Sequence, residues 1–182
     1  MKKWIVIIIS IILLILDNSF MPFISIYGIY PSLLFVFAIG YSIINGKQEG
    51  VFIGVLTGIL QDIFFVRCFG LNALINMLIC YIVGRVGEDI WKEKKLIPII
   101  TIIASTIVKN TVMYFFLLVL KYNIELLNGI YIAIYNSVIM FFTYRFIYKV
   151  WGKNKNEFTW RDRSRWWLIN LKRKKLYQDI QY

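Results

Sequence analysis

The sequence contains no histidine, and it contains only two cysteines and three prolines. Histidine is the commonest general base in enzymes and the commonest zinc ligand, so its absence weighs against most hydrolytic and metal-dependent activities. Cys68 and Cys80 lie too far apart for a short metal-binding pair and are too few for a disulfide framework. Catalytic patterns such as HExxH, GxSxG and the phosphate loop are also missing. We therefore predict a protein that is not an enzyme and that holds no metal or other cofactor.

Apolar residues make up 59% of the 182 residues, and they are gathered in long blocks. A bilayer core about 30 Å thick needs roughly 20 mostly apolar residues for each spanning helix. The blocks predict an all-α integral membrane protein with about six transmembrane helices in a domain over residues 1–150, followed by a cytoplasmic tail over residues 151–182. The predicted spans are residues 3–20, 26–44, 48–66, 70–86, 96–120 and 126–150.

The first two blocks leave alternatives open. Lys2 and Lys3 precede the first block as they would in a secretory signal, but no small-residue cleavage site follows, so we expect an uncleaved helix. Pro22 and Pro31 interrupt the chain before the second span. Residues 20–30 therefore form either part of a full span or a re-entrant or interfacial segment.

Basic residues are distributed unevenly along the chain, which carries a formal net charge of +11. With six spans, all of the 21 lysines and arginines except Arg67, Lys109 and Lys121 lie on the same side as the N-terminus. Because basic loops stay in the cytoplasm, we predict that both termini are cytoplasmic. The expected anionic partner is membrane phospholipid and not nucleic acid.

Two charged residues, Asp62 and Lys109, fall inside predicted spans. A charge in the hydrocarbon core costs at least about 2.5–3.5 kcal/mol, so such a residue is a functional candidate by default. We expect them to pair with each other or to line a polar cavity in one layer of the bundle. In the alternative, Lys109 extends to the outer head groups and Asp62 only caps the end of its own helix near Arg67. The expected intramembrane polar network is Asp62, Lys109, Gln61, Asn72, Asn76 and Asn136.

Glycines recur at every fourth position before Asp62. Small residues at this spacing let two membrane helices approach closely, so we predict a packing face, within the chain rather than in a dimer. Its residues are Gly46, Gly50, Gly54 and Gly58.

The last 32 residues of the chain combine basic and aromatic side chains. Each basic residue near an anionic leaflet contributes about 1 kcal/mol of attraction, which predicts an interfacial segment on the inner membrane surface. In the alternative, a disordered tail only fixes the orientation. The residues expected at the surface are Trp160, Arg161, Arg163, Arg165, Trp166, Trp167, Lys172, Arg173, Lys174 and Lys175.

The stretch GKQEGVFIGVLTGILQDIFFVRCFGLNALINMLICYIVGRV, with YPSLLFVFAIGYSIINGKQEG before it, resembles the MreD family of bacterial rod-shape-determining membrane proteins. The likeness is clearest over residues 28–90; elsewhere it extends to hydropathy and length, and it assigns no role to the tail. The residues that match the motif are Gly50, Gly54, Gly58, Gln61, Asp62, Gly70, Leu71 and Asn72.

The resemblance implies a non-enzymatic subunit of the cell-elongation machinery in the bacterial cytoplasmic membrane. Such a subunit binds an MreC-type bitopic scaffold and, through it, connects MreB filaments to the peptidoglycan synthase RodA and its penicillin-binding protein. It also implies six helices around a cavity, resembling the substrate-binding subunit fold of energy-coupling-factor transporters. Because that fold is shared, a binding subunit for a vitamin-type nutrient is the rival function.

Overall fold

A computed structural model of the chain describes residues 3–26, 28–64, 69–89, 96–119 and 128–152. The chain divides into two compact units, Met1–Trp151 and Gly152–Tyr182. The predicted surface residues of the tail lie outside the described residues. The described part contains six α-helices: α1 Lys3–Ser19, α2 Leu33–Asn45, α3 Lys47–Phe64, α4 Leu71–Asp89, α5 Leu96–Val119 and α6 Asn128–Ile147.

Three of the six helices are long and apolar enough to cross a membrane, over Leu71–Glu88, Ile97–Val119 and Gly129–Gly152. The others differ in length or charge, since α1 has 17 residues, α2 has 13, and α3 carries two acidic residues and a lysine. The all-helical membrane protein that the sequence predicts is therefore confirmed, whereas six crossings stay a prediction.

The predicted start of the second span at Ile26 is wrong, because α2 begins at Leu33. Pro31 disfavours helical geometry in the residue before it, and Ser32 adopts an extended conformation as the N-cap of the helix. Between α1 and α2 the chain forms one 3₁₀ turn, Met21–Ile24, and then an irregular segment.

Helix α2 forms the centre of the bundle. All residues from Leu34 to Asn45 are buried, so this helix has neighbours on every side. Two of its aromatic residues, Phe37 and Tyr41, pack on Trp151, with ring centroids 5.7 and 5.9 Å from the Trp151 ring. A helix that is apolar all round is stable only when surrounded, and the other helices provide that surrounding.

Helix α1 has one buried and one exposed face. Its buried residues, Val6, Ser10, Leu14 and Asp17, follow each other at intervals of three or four. The opposite face exposes large apolar side chains, including Trp4, Ile8 and Ile15. In a membrane protein such a face contacts lipid or a partner helix.

The glycines of α3 lie against the backbone of α4. A Cβ atom added at Gly54 would lie 2.6 Å from the carbonyl oxygen of Asn76, which is closer than packed atoms tolerate. The two helices therefore pack at a distance that only glycine permits, within one chain. The pairs in contact are Gly50 with Cys80, Gly54 with Asn76, and Gly58 with Ala73.

Gly46 differs from the other three glycines because it lies in the turn between α2 and α3 and not in α3. Its φ of 90° favours glycine, and its N–H donates to Ser42 O as the C-cap of α2. The Glu88 carboxylate accepts from the Lys47 N–H at 3.0 Å and so caps the start of α3. A Cβ at Gly84 of α4 would lie 2.8 Å from the Gly46 backbone.

Candidate functional site

Asp62 lies in the last turn of α3, and its carboxylate binds the start of α4. It accepts hydrogen bonds from the backbone N–H groups of Gly70 and Asn72, both at 3.0 Å, and of Ala73 at 2.9 Å. The Asn72 side chain donates a further bond at 3.0 Å. The first N–H groups of a helix have no partner within it, and a carboxylate both satisfies them and neutralises the positive end of the helix dipole.

Asp17 has the same role one hairpin earlier, in the last turn of α1. Its carboxylate accepts from the N–H groups of Leu33 at 2.7 Å and Leu34 at 3.0 Å, and from the Ser32 hydroxyl at 3.1 Å. It therefore caps α2. Asp17 was not among the site residues predicted from the sequence. The signal that could have identified it was the rule already applied to Asp62, since both are acidic residues at the end of an apolar run.

Gln61, next to Asp62 in α3, forms hydrogen bonds with residues of α4 and α5 and with the N-cap of α2. Its Oε1 accepts from Lys109 Nζ at 2.8 Å and from Asn76 Nδ2 at 2.9 Å, and its Nε2 donates to Ser32 Oγ at 3.1 Å. The Lys109 ammonium also lies 4.5 Å from the centre of the Phe35 ring, in cation–π geometry. Lys109 is thus directed to Gln61 and Phe35, towards the interior of the bundle and not along its outer surface.

Asn136 of α6 joins the same group of polar side chains. Its Oδ1 accepts from the Ser32 N–H at 3.0 Å, and its Nδ2 donates to Thr106 Oγ1 at 3.2 Å. The Thr106 hydroxyl in turn donates to the carbonyl of Ile102 at 2.8 Å. Direct hydrogen bonds therefore connect α6 to α5 and to the N-cap of α2.

A cavity of about 340 Å³ lies at the end of the bundle where α1, α3 and α5 end and where α2, α4 and α6 begin. All six helices contribute to its wall. Asp17 and Lys109 are its two charged lining residues. Its uncharged polar lining consists of Asn18, Tyr30, Ser32, Gln61, Asn72, Thr106, Asn110 and Asn136.

The predicted network residues are distributed between two groups of hydrogen bonds. Asp62 and Asn72 cap α4, while Lys109, Gln61, Asn76 and Asn136 belong to the group around Ser32. Lys109 and Asp62 have no direct hydrogen bond among the described residues. Of the two expected arrangements, a direct pair or a shared polar cavity, the pair is not seen in the described part of the chain: Asp62 binds the start of α4, and Lys109 binds Gln61. The sequence analysis missed Asp17, Ser32 and Thr106.

The described residues contain no group of three histidine, cysteine, aspartate or glutamate side chains that could hold a metal ion. Cys80 is fully buried and packs against α3, and Cys68 lies outside the described residues. What the polar groups lining the cavity offer is hydrogen bonding and one charge of each sign, on Asp17 and Lys109.

Comparison with known protein families matches residues 1–152 to the family described as rod shape-determining protein MreD. The chain belongs to the MreD family. The match covers all six helices, so the resemblance inferred from residues 28–90 is confirmed over a longer range. MreD proteins are shape-determining membrane proteins, and this family is not known for enzymatic activity. No curated protein and no solved structure gives a significant match.

Proposed function

We propose that this MreD protein is a non-enzymatic subunit of the cell-elongation complex, where it binds an MreC-type bitopic membrane protein. Through that partner it helps to link MreB filaments to RodA and its penicillin-binding protein. The observation that carries this proposal is the family match over residues 1–152. No observation favours the rival function in nutrient transport.

The chemistry of the surface supports binding within the membrane. Outward-facing positions on α1, α4, α5 and α6 carry large apolar side chains, among them Ile8, Ile82, Phe116 and Phe142. In contrast, polar side chains that hydrogen-bond between helices, such as Asn76 and Asn136, are buried. A protein with such a surface binds the membrane segment of a partner through close packing, so a single membrane anchor docked in a lipid-facing groove is the expected mode of association.

Our proposal includes the arrangement in the bacterial cytoplasmic membrane. All six helices cross it, with both termini in the cytoplasm, and the fold resembles the substrate-binding subunits of energy-coupling-factor transporters. The distribution of lysine and arginine supports this orientation. The basic aromatic tail then lies where it can bind anionic phospholipid.

Crosslinking in living cells tests the proposal. Photoreactive residues would replace Ile8, Ile82, Phe116 and Phe142 in turn, each exposed by 44–71%. We expect one or two of these positions to capture the MreC-type protein, while a control at the fully buried Ile39 captures none.

Depletion of the protein gives a second, independent readout. Rod-shaped cells should become round, and the MreC-type protein should co-purify with the tagged chain. Cells that kept their shape and instead required a vitamin would contradict the proposal and support the transport function.

A further inference from the structure

The cavity between the six helices contains opposite charges that are not paired with each other. Asp17 and Lys109 both line it, and the shortest connection between them runs through Ser32 and Gln61, in three hydrogen bonds of 3.1, 3.1 and 2.8 Å. At about 340 Å³ the cavity lies within the range of small-molecule sites, roughly 300–1,000 Å³.

Both charged groups have unused hydrogen-bonding capacity. A carboxylate accepts about four hydrogen bonds and the Asp17 carboxylate receives three, while an ammonium group donates three and Lys109 gives one to Gln61. The second contact of Lys109, the Phe35 ring, is electrostatic. A ligand in the cavity can therefore accept from Lys109 and donate to Asp17.

The two charges determine the class of ligand. A lone anion would be attracted by Lys109 but repelled by Asp17. A lone cation would be attracted by Asp17 but repelled by Lys109. A ligand with one anionic and one ammonium group satisfies both side chains, and it brings no net charge into a site of low dielectric constant.

Exposed aromatic residues at the same end of the bundle indicate where this ligand comes from. Phe23, in the turn after α1, is 87% exposed, and Phe69, just before α4, is 76% exposed. Large apolar side chains that are this exposed in a membrane protein are favoured in contact with lipid. This end of the bundle therefore borders lipid, and a phospholipid head group can reach the cavity.

We propose that this cavity binds the phosphoethanolamine head group of a membrane phospholipid. The phosphate accepts hydrogen bonds from Lys109, and the ammonium group donates to Asp17. The side chains of Asp17 and Lys109 are not part of the lipid-facing surface through which the protein is proposed to bind its partner. This lipid site and the partner site are therefore separate.

Lipid binding to the full-length protein, purified in a non-ionic detergent, tests the proposal. Short-chain phosphatidylethanolamine, phosphatidylcholine and phosphatidylglycerol would be titrated, and the rise in unfolding temperature would give the apparent affinity. Phosphatidylethanolamine should bind at least about tenfold more tightly than the other two. Phosphatidylcholine has no N–H donor for Asp17, and phosphatidylglycerol has no cation.

Two lysine variants provide the matched comparison. Lys109→Met should weaken phosphatidylethanolamine binding at least about tenfold, because the phosphate loses its counter-ion. Lys149→Met is the control, since this exposed lysine lies in the turn after α6, at the other end of the bundle. This variant should bind the lipid as the wild type does. Asp17→Asn should reduce the preference for phosphatidylethanolamine over phosphatidylcholine.

Equal affinity for the three lipids would overturn the proposal, and so would unchanged binding by Lys109→Met. Should Asp17→Asn fail to fold, the comparison of phosphatidylethanolamine with phosphatidylcholine tests the same contact in the wild type. Water-soluble phosphoethanolamine forms one further arm. If it bound as tightly as the lipid, the assignment to a membrane phospholipid would be overturned.

Discussion

Asp17 and Asp62 show how a carboxylate becomes acceptable inside a membrane bundle. Each lies near the end of one helix and receives three or four hydrogen bonds from the beginning of the next. Backbone N–H groups and the helix dipole stabilise the charge, so no basic side chain has to pair with it directly. The two caps also fix where α2 and α4 start.

Replacement of Asp17 with alanine should destabilise the protein by at least about 2 kcal/mol, because it leaves the N–H groups of Leu33 and Leu34 without a partner in the interior. Unfolding in detergent, followed by circular dichroism, measures the loss. The neighbouring Asn18→Ala is the matched control, since among the described residues the Asn18 side chain bonds only to Leu14 O of its own helix. Equal losses for both variants would contradict the capping role.

The partners of Lys109 can be compared by double-mutant cycles. Gln61→Ala combined with Lys109→Met should give a coupling energy of about 0.5–3 kcal/mol, since the two side chains are hydrogen-bonded. The cycle of Asp62→Asn with Lys109→Met should give a smaller coupling, because Asp62 is occupied with α4. A larger coupling to Asp62 would support the direct pairing that the sequence alone suggested.

At the scale of single residues, the sequence predicts which polar groups lie in the interior but not which residues they contact. Asp62, Lys109 and Asn136 were recognisable because a charge or amide inside an apolar block is unusual. Their partners come from other helices, as with Ser32, which contacts α1, α3 and α6. No local pattern specifies such contacts.

Among the helices, five of the six were predicted within a few residues, since long apolar blocks ended by polar residues specify both existence and length. The exception is α2, where the apolar pattern continues back beyond the true start. Its start depends on Pro31, on the extended Ser32 and on the distant Asp17, of which only the first can be seen locally.

The packing of α3 on α4 yields a prediction about glycine. Gly54→Ala should cost about 1–3 kcal/mol in spite of the better helix propensity of alanine, because the new Cβ would meet the α4 backbone at Asn76. Gly129→Ala in α6 is the control. The atom nearest to its Cβ would be the Asn110 Cβ at 3.1 Å, a contact that a shift of a few tenths of an ångström relieves.

Thermal unfolding of both glycine variants in the same detergent gives the comparison. A loss confined to Gly54→Ala would indicate that the α3–α4 contact holds within the monomer. If the variant instead kept its stability and lost only self-association, the glycine series would be a dimer face.

For the whole molecule, burial and charge point to the same arrangement. Polar groups that would be costly in lipid are gathered around the central α2 and the cavity, whereas the outer surface carries apolar side chains. Basic residues are concentrated at the ends of the predicted spans on the N-terminal side and in the tail. This division is what a bilayer requires of a bundle.

The proposed orientation can be tested with reporters that work on one side of the membrane only. A fluorescent protein fused after Tyr182 should be active and alkaline phosphatase fused there inactive, because both termini are expected in the cytoplasm. Fusions after Ser25, in the segment between α1 and α2, should give the opposite result, since α1 alone then precedes the reporter. The 17 residues of α1 extend about 26 Å, close to the thickness of the hydrocarbon core. Phosphatase activity at both fusion points would mean an odd number of crossings and would place the basic tail outside, away from anionic lipid on the inner leaflet.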